Sequence, residues 1–225
     1  MTSIERPSIS IIGGTGQLGH GLALRLARAG YPLVIGSRCG EQAIEFAQRV
    51  SRELVKENIQ DSVLAGMDNV SAAKSGHCVF VTVPFSAHRQ ILESINEAVQ
   101  GKILVDVTVP LVPPRVARVQ LPPEGSAGQI AQELLGEEVR VVSAFQNVAA
   151  VHLQTQNTIP CDVLVTGNDK AARQFVIDII SSIGMRGLHA GLIHNAAAAE
   201  ALTSVLINLN KQFKTHAGLQ FTGID

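Results

Sequence analysis

The 225-residue chain carries a formal net charge of −1, is 46% apolar and only 16% charged, which allows a sizeable core and excludes wholesale disorder. The absence of any basic block argues against nucleic acid as the main partner. Cys39, Cys78 and Cys161 are scattered without a C-x-x-C pair, "MTSIERPSIS" lacks a signal-peptide layout, and no run nears ~18 apolar residues; a soluble cytoplasmic protein is expected.

"SISII" (Ser8–Ile12) reads as a buried strand and Gln17–Ala29 as a helix closed by Gly30. "PLVIGS" is a second strand, and Glu41–Lys56 has helical spacing with Ala43, Phe46, Ala47 and Val50 on one face. "HCVFVTVP" and "KILVDVTVP" are near-continuous apolar strands, separated by a helix over about Ala87–Val99. This alternation predicts a Rossmann-type, doubly wound parallel α/β sheet. Prolines 110, 113, 114, 122 and 123 mark a long surface connection, a candidate for movement or for covering a site. A short helix (Gln129–Leu135) and the strand "VRVVSAF" complete the large sheet. A strand "DVLVTG", a helix Lys170–Ile183, a short strand near Leu188 and a helix Asn195–Phe213 then form a small C-terminal α/β lobe. The expected division is a dinucleotide-binding domain over 1–145 and a small domain over 146–225.

Gly14-x-Gly16-x-x-Gly19 follows a predicted strand and opens a predicted helix. In that setting the first glycine permits the tight turn, the second admits a pyrophosphate, and the third lets helix lie close on strand. An NAD enzyme usually places Asp or Glu at the end of the second strand, yet this chain reads "IGSR". Ser37 and the planar fork of Arg38 suit a 2′-phosphate, so NADP is the expected dinucleotide. Val83 and Pro84, in "VTVPFSAH", form a stiff apolar wall beneath the nicotinamide ribose. His88 falls in the first turn of the following helix, either an acid–base candidate or a surface histidine. His189 and His194 lack an acidic third ligand, and Ser143 lacks a G-x-S-x-G context, so neither a metal site nor a hydrolase triad is predicted.

"GGTGQLGHGLALRLA", "IGSR", "VTVP", "VVSAFQNVAA", "DVLVTGND", "AEALT" and "KTHAGLQFTGI" run essentially end to end. Through them the chain resembles the NADPH-dependent reductases of the deazaflavin coenzyme F420, "VVSAFQNVAA", "EALT" and "HAGLQFTG" being the most particular to that family. The resemblance implies direct hydride transfer between stacked nicotinamide and deazaflavin rings. It implies NADP contacts at Thr15, Gly16, Gln17, Leu18, Ser37, Arg38, Val83 and Ala150. It also implies a deazaflavin pocket from Gln146, Val148 and Thr203, closed by the backbone near Ala217. A histidine sometimes found where Gln146 stands, and a lysine sometimes found near Gln42, are both absent.

No side chain is assigned a catalytic role, because the cofactors carry the chemistry and the protein aligns them. Charge developing at the deazaflavin N1–C2 edge needs donors, for which backbone amides or the Gln146 amide are candidates. Two rivals stay open. An NADPH-dependent imine or carbonyl reductase would want a proton donor such as His88 or His152, and a non-enzymatic NADPH sensor would use its second lobe to meet a protein. A homodimer is expected from Leu202, Val205, Leu206 and Leu209 at helical spacing, extended by Ala198 and Ala201, unless the large domain itself covers this stripe.

Overall fold

The computed structural model describes residues 6–60 and 62–224. Strands β1 (Ile9–Ile12), β2 (Leu33–Ser37), β3 (Leu64–Asp68), β4 (Cys78–Val81), β5 (Ile103–Asp106) and β6 (Arg140–Ser143) are joined by helical crossovers. Their helices are α1 (Gln17–Arg28), α2 (Gly40–Lys56), α3 (Asn69–Ser75), α4 (Phe85–Val99) and α5 (Ala127–Leu135). After β6 come α6 (Ala150–Gln154), β7 (Asp162–Gly167), α7 (Lys170–Ser182), β8 (Arg186–His189) and α8 (Ala196–Phe213). The strand order is β3-β2-β1-β4-β5-β6-β7-β8, parallel through β6. That is the Rossmann order with two strands added.

Why these segments become strands is plain at the centre. Every residue of β1, β4 and β5 is buried, because helices cover both faces and each position must be apolar or hydrogen-bonded. On one face α1, α2 and α7 pack over Ile11, Phe80 and Val105; on the other α3, α4 and α5 pack over Ile12, Val79 and Leu104. Helix α2 buries Ala43, Phe46, Ala47, Val50 and Leu54, the spacing of one helical stripe.

The expected boundary between residues 145 and 146 falls just past β6. There β7 runs antiparallel to β6, pairing Val142 with Gly167 and Ser143 with Thr166, and β8 runs parallel to β7. Helix α1 ties the halves together. Arg25 is buried and donates to the carbonyls of His152, Leu153 and Asn157 at 3.1, 3.2 and 2.6 Å, satisfying the C-terminal end of α6. Burial, and then neighbouring Arg28, hold the Arg25 guanidinium below its usual pKa. At Gly21 an added Cβ would lie 2.6 Å from Leu153 Cβ, so the close crossing of α1 and α6 needs glycine there.

Several local expectations are corrected. Strand β3 and helix α3 were not signalled, because β3 is a half-buried edge reading "LAGMD", without the branched residues that mark strands. The strands of "VTVP" and "DVTVP" stop at Val81 and Asp106, freeing the residues beyond them for the cleft. On α8 the buried positions are Ala196, Ala199, Glu200, Ser204 and Leu206. Within the expected leucine stripe, only Leu206 is buried and Val205 is 47% exposed. No helix among the described residues is long and apolar enough to cross a membrane.

Candidate functional site

The three fingerprint glycines have different physical duties. A Cβ on Gly14 would sit 2.7 Å from the Ile11 carbonyl, and one on Gly19 would sit 2.5 Å from the Gly14 carbonyl. Both lie inside the turn and let α1 rest against β1. A Cβ on Gly16 would meet nothing nearer than the Gly13 oxygen at 3.7 Å, so Gly16 is spared for something outside the chain. Gly16 caps α1 without a side-chain bond, leaving the first N–H groups of the helix free at its positive end. That is an anion site by construction.

The turn opens onto a cleft of about 820 Å³ at the carboxyl edge of the sheet. Thr15, Gly16, Gln17, Leu18, Ser37, Arg38, Val83 and Pro84 all line it. Gly14 and Gly19 are buried behind them. Ser37 ends β2, its Oγ accepting from the Cys39 N–H at 3.4 Å. Arg38 is exposed and has no hydrogen-bond or ion-pair partner among the described residues. Arg38 is therefore a free guanidinium at one end of a cleft whose other end is apolar, with Val107, Val109, Leu111, Pro113 and Val116 as wall. The proline-rich connection thus contributes part of that wall.

Sequence reasoning missed Asn69. It opens α3, is buried, lines the cleft, and accepts the Gly13 N–H on Oδ1 at 3.4 Å. The signal was absent because β3, which positions it, was not legible.

His88 is not a surface histidine. Its ring is buried against Asp106, with Nε2 and Oδ2 2.6 Å apart. The other rival proton donor, His152, faces the tail and bonds the His216 carbonyl at 2.8 Å. Neither histidine lines the cleft.

The residues assigned to the deazaflavin by resemblance, Gln146, Val148, Thr203 and Ala217, do not line the cleft, and neither does Ala150, assigned to NADP. Gln146 is buried and spends both amide hydrogens, on the Asp106 carbonyl and Ser143 Oγ, each at 2.9 Å. In this arrangement both amide hydrogens are taken within the protein. Thr203 Oγ donates to the Gln146 carbonyl at 2.9 Å, and Asn147 donates to Thr203 and to the Ala199 carbonyl. These bonds seat "AFQNVAA" against α8, burying Val148. Ala150 begins α6 beside Gly21, and the Ala217 N–H is taken by Asn210 Oδ1 at 2.7 Å.

Beneath this region Glu200 is buried, accepting the backbone N–H groups of Ala127 and Gly128 at 2.7 and 3.1 Å. Burial pushes its carboxyl up to about 8, against the pull of those two donors, and Asp106 adds to the rise. Buried Cys78 and Cys161 are pushed up to about 12 and 11 by desolvation, which leaves them inert as thiolates.

Comparison with known proteins bears on what this cleft serves. The family described as "NADP oxidoreductase coenzyme F420-dependent" matches residues 8–110. The F420-dependent NADP reductase of Methanocaldococcus jannaschii is 38% identical over 223 residues, 96% of this chain and 99% of that protein. The enzyme of the same name from Methanothermobacter marburgensis is 34% identical, again over 96% of this chain and 98% of its own length. The crystal structure of an Arthrobacter sp. FB24 protein assigned as an F420-dependent NADP-reductase superposes with a TM-score of 0.80 at 25% identity, covering 97% of this chain and all of that one. Identity of this extent, carried through both halves of the fold and not only through the phosphate turn, makes this chain a member of the F420-dependent NADP reductase family.

Proposed function

We propose that the protein transfers a hydride directly between NADP(H) and the deazaflavin coenzyme F420. The observation that carries this reading is the cleft itself: free N–H groups and an unpaired guanidinium at one end, a hydrocarbon wall at the other. The end-to-end identity with F420-dependent NADP reductases supports it.

The residues fit the dinucleotide. Gly16 leaves room for the pyrophosphate, with Thr15, Gln17 and Leu18 around it, while Gly14 and Gly19 hold the turn. Ser37 and Arg38 offer a hydroxyl and a planar fork to a 2′-phosphate. Val83 and Pro84 place a stiff apolar surface on the nicotinamide side, with Ala150 behind the turn. Gln146, Val148, Thr203 and the backbone near Ala217 are proposed to back the deazaflavin side. When bound, the two cofactors supply the hydride donor and acceptor. The protein's task is to align them and keep water from the ring faces, so that little is asked of side-chain acids or bases. Residues 1–145 would hold the dinucleotide and 146–225 would back the second ring.

An imine or carbonyl reductase would need a proton donor facing the cleft. His88 is sealed against Asp106 and His152 points at the tail, which weighs against that alternative. We further propose a cytoplasmic homodimer, with exposed Val205, Phe213 and Phe221 on α8 and the tail supplying apolar surface. Light scattering at micromolar concentration tests the dimer. Mixing the protein with NADPH and oxidised F420 tests the reaction: the deazaflavin absorbance should decay with NADPH and persist without it. Persistence in both would overturn the reading.

A further inference from the structure

His88 stands in the first turn of α4 and Asp106 closes β5; they meet inside the protein, each side chain only 1% exposed. With the ring in its Nε2–H tautomer, the imidazole donates this 2.6 Å bond to the Asp106 carboxyl. Burying such a pair is costly unless the remaining lone pairs are also satisfied. Those of Asp106 are satisfied by groups that lead to the cleft. Its Oδ1 accepts the Thr108 N–H at 2.9 Å, and Thr108 Oγ1 donates in turn to the Val83 carbonyl at 3.4 Å. Val83 and Thr108 both line the cleft, on the segments that leave β4 and β5. The backbone oxygen of Asp106 accepts from Gln146 at 2.9 Å and from the Ala144 N–H at 3.1 Å. His88 Nδ1 has no hydrogen-bond partner among the described residues, so the ring is oriented by its bond to Asp106 and by Phe85, stacked at 6.1 Å between ring centroids.

We propose that His88 is a positioning residue for hydride transfer: by donating to Asp106 it fixes Thr108 against Val83 and so sets the width of the ring end of the cleft. The inference rests on the hydride-transfer reading. Direct transfer needs the reacting carbons held at ~3–3.5 Å, and a misplacement of about 1 Å can cost roughly a hundredfold in rate. The phosphate end, held by Gly16, Ser37 and Arg38, does not depend on this pair. Losing it should therefore slow transfer without loosening the dinucleotide.

The test compares His88→Gln, whose amide nitrogen reaches about as far as Nε2, with His88→Asn, whose amide falls short. Three readouts are taken on the full chain: single-turnover transfer from NADPH to F420, NADPH affinity, and the fluorescence emission of bound NADPH with no deazaflavin present. His88→Gln should stay within about fivefold of the parent, while His88→Asn should slow roughly a hundredfold with NADPH affinity changed less than about threefold. Emission of NADPH bound to His88→Asn should move toward that of free NADPH. Equal rates for the two variants, or loss of affinity in step with rate, would overturn the proposal. If His88→Asn does not fold, Asp106→Asn carries the test, since it keeps Oδ1 for Thr108 but sets an amide NH2 against Nε2–H in place of the accepting oxygen. Slowing of less than about threefold there would overturn it as well. Parent protein that binds NADPH yet leaves F420 oxidised overturns the hydride-transfer reading instead, and the emission comparison still decides the role of His88.

Discussion

Glu200 of α8 accepts the backbone N–H of Ala127 at 2.7 Å, so a buried carboxyl from the second half caps the helix α5 of the first. With its pKa raised from 4.5 to about 8, Glu200 is protonated in the folded chain and ionised in the unfolded chain between those values. Its contribution to stability is complete below about 4.5 and is lost as pH rises through about 8. Denaturant melts at stepped pH should show stability falling across that window, by at most ~1.4 kcal/mol per pH unit. Glu200→Gln should flatten the slope. An unchanged slope would remove Glu200 as its source.

Arg38→Ala should weaken NADPH far more than NADH. Arg38 has no other partner among the described residues, so the loss reports on a ligand and not on the fold. A charge-assisted bond is worth ~1.5–3 kcal/mol, about ten- to a hundredfold in affinity. Paired titrations with the two dinucleotides measure it, and equal losses would contradict the assignment.

The fingerprint glycines should separate under substitution. Gly16→Val meets open space and a compatible φ of −76°, so the chain should melt like the parent and bind no NADPH. Gly19→Ala forces a Cβ against Gly14 backbone, within 2.5 Å of its oxygen, and should cost roughly 1–3 kcal/mol of stability. Circular dichroism melts with NADPH titration distinguish the two. A destabilised Gly16→Val would contradict the open space seen there.

The C-terminal tail is held by a bidentate pair: Arg186 Nε and Nη2 donate to the Asp162 carboxylate at 2.6 and 2.8 Å. Asp162 also accepts the Phe221 N–H at 2.6 Å, and Arg186 donates to the Phe221 carbonyl at 2.8 Å. The hydrogen bonds from Arg186 hold the Asp162 carboxyl below its usual range, so this support is lost as pH falls. Arg186→Ala should cost about 1.5–3 kcal/mol, nearer the lower figure because the arginine is partly exposed. Trypsin should then cut faster at Lys211 and Lys214. Unaltered cleavage would mean the tail is secured elsewhere.

Much of the first half is legible in sequence because its central strands are buried on both faces and must be apolar throughout. The phosphate turn and Arg38 are legible for a related reason: local spacing alone places them at a strand end. Asn69 is not, since its strand is an edge with no alternation and a glycine, Gly66, pressed against the backbone of α2. His88 reads equally as surface or site until Asp106, eighteen positions on, is known to meet it. The leucines of α8 suggest a single stripe, yet the face that turns inward is the one with Ala196, Ala199 and Glu200. Partners from distant segments decide these cases, and periodicity within one helix cannot name them.

Helix α1 offers its N-terminus to the cleft and gives its Arg25 and Gly21 to α6. A chain cut after Phe145 would leave that arginine facing water and β6 without its outer neighbour. The first half is consequently not a cassette. It has traded autonomy for a shared surface, and a graft of this half onto another enzyme would have to bring α6 with it.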